Sequence, residues 1–117
     1  MRFSVEIREN EDVAVMHLRG RLVFGNATRA LFCKAAEVLP HTRQLVLELS
    51  GVEKIDGAGM GELVAVWNSA QALRRAVKLV APVPWVASLL VLTNLTLLFE
   101  IHPTVDDALL AWRGLPA

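Results

Sequence analysis

Apolar and polar residues change their spacing several times along the chain, and the changes divide it into alternating strands and helices. Phe3 to Glu9 and Asp12 to Leu18 read as strands, with Val13 and Val15 supplying part of a period-two pattern. The run Glu9-Asn10-Glu11-Asp12 between them supplies a turn. Gly20 closes the second strand, and Arg21 to Phe24 is short and apolar. Gly25-Asn26 then opens a helix, with Asn26 as its cap, that runs to about Leu39. Leu31, Ala35, Val38 and Leu39 share one face of it, and Pro40 cannot easily continue the hydrogen-bond ladder.

The next segment, Gln44 to Leu49, is almost continuously apolar, as expected of a central strand covered on both faces. Asp56 precedes Gly57-Ala58-Gly59-Met60-Gly61, after which Leu63, Val64, Trp67, Ala70 and Leu73 carry a helical period, so a second helix begins near Gly57. Val77 to Ala81 predicts another strand. Pro84 suits the first turn of a third helix that ends near Thr93-Asn94. Leu97 to His102 predicts a last strand. Thr104, three residues before Asp107, marks the start of a helix completed by Ala108 to Arg113. The order β β α β α β α β α implies an α/β fold with largely parallel pairing, helices packed over the sheet and no internal repeat.

Composition narrows the functional classes. With 117 residues the chain predicts one domain over 1–117. It is 54% hydrophobic, and 12 Lys and Arg balance 12 Asp and Glu. Such a chain has the means to fold, and it lacks the basic surplus that phosphate neutralisation requires, which argues against nucleic acid as a partner. The charged N-terminus is unlike a secretory signal, and the single Cys33 allows no internal disulfide, so the expected compartment is the cytoplasm. Leu79 to Phe99 runs for 21 residues without a formal charge, long enough to span a bilayer. Pro82, Pro84, Ser88, Thr93, Asn94 and Thr96 interrupt it, and a strand, helix and strand in succession account for it better than membrane insertion.

Candidate chemistry is sparse. His17, His41 and His102 share no metal-ligand spacing, and Cys33 has no Cys or His three or four residues on, so no metal or cofactor is expected. His17 reads as a hydrogen-bonded structural residue within a strand, and His41 and His102 read as loop residues. The serines at 4, 50, 69 and 88 show no nucleophile elbow, so a catalytic site is not expected. The glycine-rich turn matches neither the dinucleotide fingerprint nor the P-loop. Asp56 is well placed to cap the second helix, but three glycines in five residues are costly in a helix and call for close packing or a bare surface for a partner. Trp67, Trp85 and Trp112, all on predicted helices, read as core or dimer-contact residues and not as ligand platforms, and Arg74-Arg75 as cations favouring a helix C-terminus.

The stretch Leu45-Val-Leu-Glu-Leu-Ser-Gly-Val-Glu-Lys-Ile-Asp-Gly-Ala-Gly-Met-Gly-Glu-Leu63 resembles the central motif of STAS domains, the sulfate-transporter and anti-sigma-factor-antagonist family. Gly20 to Ala27 resembles the loop before that family's first helix, and Leu92-Thr-Asn-Leu-Thr-Leu-Leu-Phe-Glu-Ile101 resembles its entry to the last strand. The likeness covers residues 12–112 and implies a single STAS-like domain, a mixed, mostly parallel sheet with about four helices.

In the bacterial branch of the family, the resemblance implies partner switching. The domain binds an anti-sigma factor that is also a serine kinase, which frees the sigma factor, and phosphorylation reverses the binding. The implied partner-binding residues are Asp56, Gly57, Ala58, Gly59 and Met60, with Gly25 and Asn26. The phosphoacceptor position is the one directly after Asp56, which here is Gly57, and neither it nor Ala58 has a hydroxyl. A second departure is Val23, where members often carry Asp. An accessory subunit of an ABC-type transporter or a scaffold is the alternative role, and an enzyme is the weakest. A second copy of the chain is a further candidate partner. The apolar excess near Met60 and Pro82 to Val86 is the expected footprint of a partner.

Overall fold

The computed structural model describes residues 2–113, and of Trp112 and Arg113 the backbone alone. Strands β1 (Ser4–Asn10), β2 (Val13–Leu22), β3 (Gln44–Ile55), β4 (Ala76–Val80) and β5 (Glu100–His102) lie side by side in chain order. β1 and β2 form an antiparallel hairpin, and every later pair is parallel. Parallel neighbours need a crossover, and the helices α1 (Asn26–Val38), α2 (Gly57–Ala72) and α3 (Pro84–Leu92) provide it, with α4 (Val105–Arg113) following β5.

The core follows from the alternation of side chains along the strands. Ala14, Met16 and Leu18 of β2 and Leu45, Leu47 and Leu49 of β3 meet Leu31 and Ala35 of α1, Leu63 and Val66 of α2, and Val86 and Leu90 of α3. The opposite face is covered less completely, with a small cluster of Val46, Val80 and Ala108 of α4. Its polar residues pair along the sheet. Lys78, 3% exposed, lies 3.3 Å from Glu100 Oε1, and His102 Nε2 lies 3.2 Å from the same oxygen. Burial alone would raise the Glu100 carboxyl, but the hydrogen bonds and positive charges of Lys78 and His102 outweigh it and hold the group below its usual range.

The strand and helix order matches the expectation, while several boundaries shift. Gly20 does not close β2, which continues to Leu22, and β3 runs on to Ile55 as its partner, with two irregularities of register between them. Arg21 to Phe24 is accordingly split between the strand end and a loop. The last strand shrinks to Glu100–His102 because Leu95–Leu97 winds into a 3₁₀ turn, and His41 also lies in such a turn. His102 is a strand residue, half-hidden beside Glu100, and not a loop residue. His17 stands 3.9 Å from Glu48, too far for the hydrogen bond expected of it.

The charged C-terminus of α2 also differs. Arg74 takes the left-handed conformation that ends the helix, while Arg75 Nε donates to the Leu39 carbonyl at 3.2 Å, tying α2 to the end of α1 and not to its own last turn. Trp67 packs on the core as expected. Trp85 is 44% exposed, with its indole N–H donating to the Glu53 carbonyl. The Trp112 side chain lies outside the described residues. Among the described residues, no helix is long and apolar enough to cross a membrane.

Candidate functional site

β2 and β3 end in register, Leu22 opposite Ile55, so the residues beyond them leave the sheet side by side at the carboxyl ends of two parallel strands. Asp56 exploits this. Its Oδ1 accepts the Gly59 N–H at 2.8 Å, which caps α2, and its Oδ2 accepts the Phe24 N–H at 3.1 Å from the loop after β2. One carboxylate thus fastens two chain segments 32 residues apart. Those N–H donors, Gly59 first and Phe24 second, hold its pKa below the ordinary 3.8. The capping role was legible in the sequence; the second bond was not.

The first helix starts differently from the expectation. Gly25 is the cap, at φ 118°, a conformation that side-chain-bearing residues rarely adopt, and Asn26 is the first helical residue, exposed, with no capping bond from its side chain. The reason is Thr28, whose Oγ1 accepts the Gly25 N–H at 3.2 Å and donates to the Gly25 carbonyl at 3.1 Å. A buried hydroxyl inside the first turn does the work assigned to Asn26.

The three glycines of the α2 turn divide into two kinds. A Cβ on Gly59 would lie 2.1 Å from the Leu22 carbonyl oxygen and 2.8 Å from Ile55 Cγ1, so only glycine lets the helix sit against the strand ends. Around a Cβ on Gly57 or Gly61 there is nothing within 4 Å, and both residues are exposed. Met60 is half-buried, and the Thr93 hydroxyl at the end of α3 lies 3.6 Å from its sulfur. Beyond it the surface is apolar: Val91, Leu92 and Leu97 are 60%, 76% and 81% exposed. The predicted footprint at Pro82 to Val86 is open in part: Pro84 and Trp85 are exposed, whereas Val86 is fully buried in the core.

A family model for the STAS domain matches residues 4–108. The chain belongs to the STAS domain family. An anti-sigma factor antagonist from Mycobacterium paratuberculosis is similar to it in structure, with 27% sequence identity, 96% of this chain and 95% of that one covered, and a TM-score of 0.82. A STAS domain protein from Planctomyces limnophilus, 17% identical, covers 92% and 96% at a TM-score of 0.77. The Bacillus cell fate determinant SpoIIAA in its phosphorylated form, 16% identical, covers 92% and 96% at 0.70 and shares the fold.

Within this STAS domain, Asp56, Gly57, Ala58, Gly59 and Met60 form one turn, and the Phe24 bond brings Gly25 alongside, with Asn26 opening the adjoining helix. Val23 is half-buried in the same loop. Sequence reasoning missed Phe24, 82% exposed, and Glu62, half-buried one turn into α2. The available signal for Phe24 was an aromatic residue directly before a glycine in a loop, where no core position awaits it. Among the described residues, no three His, Cys, Asp or Glu side chains gather in a metal-binding group. A cavity of about 460 Å³ lined by Arg8, Asp12, Arg43 and Leu109, among others, sits at the opposite end of β3 from Asp56 and is no part of this site.

Proposed function

We propose that this STAS domain is an anti-sigma factor antagonist of the cytoplasm. Through Asp56, Gly57, Ala58, Gly59 and Met60, with Gly25 and Asn26, it binds an anti-sigma factor of the serine-kinase type and so frees a sigma factor, with no cofactor and no catalysis of its own. The observation that carries this reading is the pair of hydrogen bonds accepted by Asp56, which presents the α2 turn and the β2–α1 loop as one surface with position 57 open beside it. The likeness to the mycobacterial antagonist supports it, and the balanced charge suits recognition by shape and apolar contact.

The same position sets the regulation. A phosphate would add about −1.5 to −2 charges to such an interface and oppose binding. Gly57 has no side-chain hydroxyl to receive one, so the complex is constitutive and is not dissolved by the kinase. The test is to mix the chain with each serine-kinase-type anti-sigma factor of its source organism, with and without ATP, and follow complex formation by calorimetry and phosphate transfer by radiolabel. A complex that survives ATP is expected, together with labelling and release of Gly57→Ser. Absence of a complex with every such factor overturns the antagonist reading; release of the wild type by labelling at another residue overturns the constitutive one.

A further inference from the structure

Glu62 lies one turn into α2, beyond the capping bonds of Asp56, and its position is unusual for a carboxylate. Its Oε1 is shut off from solvent and accepts no hydrogen bond from the described residues. No ion pair with it forms among the described residues. Burial pushes its carboxyl above the ordinary 4.5. The residue lines a cavity of about 250 Å³ whose other walls are Phe24, Gly25, Thr28, Arg29 and Phe32. Phe24 and Phe32 are 82% and 52% exposed, so two aromatic rings stand open to water around a carboxylate that has no partner among the described residues.

That combination has one natural complement. The faces of aromatic rings attract cations, and an arginine places a flat, weakly hydrated guanidinium on a ring while donating to the open oxygen of a carboxylate, its aliphatic stem covering apolar surface. We propose that the cavity between Phe24, Phe32 and Glu62 receives an arginine side chain of the bound partner protein. The inference rests on the binding role proposed above and deepens it, since the loop that carries Phe24 is held by Asp56. Arg29, exposed on the same cavity wall, is the competing cation of the chain itself.

The test uses the full isotope-labelled chain and two short peptides, acetyl-Gly-Arg-Gly-amide and its neutral citrulline counterpart. Saturable shifts of the Phe24, Thr28, Phe32 and Glu62 amides are expected with the arginine peptide, with binding about tenfold or more weaker for citrulline and for Glu62→Gln, and with the Glu62 carboxyl titrating lower when the peptide is bound. In Arg29→Ala the free Glu62 titration is unchanged. Equal shifts with both peptides, shifts undiminished in Glu62→Gln, no shifts at all, or a site that opens only in Arg29→Ala each overturn the proposal. Once an anti-sigma partner is in hand, Glu62→Gln weakens that complex about tenfold or more; an unchanged complex overturns the arginine site and leaves the antagonist reading standing, whereas peptide binding without any partner complex does the reverse.

Discussion

Two sides of the first turn of α2 are built from the same residue for opposite reasons. On the inner side Gly59 presses against the Leu22 carbonyl, where no side chain fits, and on the outer side Gly57 and Gly61 face open space. The inner glycine sets how closely the helix approaches the sheet, and thus where Asp56 can reach Phe24. The outer ones leave backbone bare without any need of the fold. A motif rich in glycine is then part architecture and part vacant surface, and only the surroundings of each residue tell which.

The largest test of this contrast is Gly59→Ala. A Cβ must displace a backbone carbonyl, so the variant loses about 3 kcal/mol of stability in urea unfolding, more than helix propensity can return. A neutral result would break the comparison outright. Asp56→Ala comes next, because it releases both the helix cap and the neighbouring loop. Since the native pKa of Asp56 is depressed, its stabilisation is complete above the unfolded value near 3.8 and is lost as pH falls through the lower native value. Thermal melts across pH 2.5 to 7 should therefore show wild type and Asp56→Ala well separated at neutral pH and converging as the pH falls below 3.8. Gly61→Ala, on the exposed side, gains about 1 kcal/mol by helix propensity. Smallest is Gly57→Ser, at the first helical position with room for the hydroxyl, whose urea midpoint stays within about 0.5 kcal/mol of the wild type.

The order of elements was legible because each covered strand and amphipathic helix imprints its own period on the residues, and Leu45 to Leu49 proved to lie in the central strand of five. The family motif was equally legible from Asp56 to Gly61. What sequence could not show was pairing across the chain. That Leu22 lies opposite Ile55 is a matter of register, and from it follow the Phe24 bond of Asp56 and the close approach of Gly59. Local spacing favoured Asn26 as a cap since Asn commonly serves there, but the reciprocal bonds of Thr28 with Gly25 had already satisfied that turn. Glu62 escaped notice because a glutamate on a helix ordinarily points to water, and its drying depends on neighbours from α1.

The sheet borders bear on how this molecule meets others. β5 is only three residues long, and β1, the opposite border, carries exposed Glu6, Arg8 and Glu9. Short borders and charged ones both discourage a foreign strand from extending the ladder. The protein is thereby guarded against fibrous self-association through its backbone, so that growth of the sheet from either border is opposed by charge on one side and by brevity on the other.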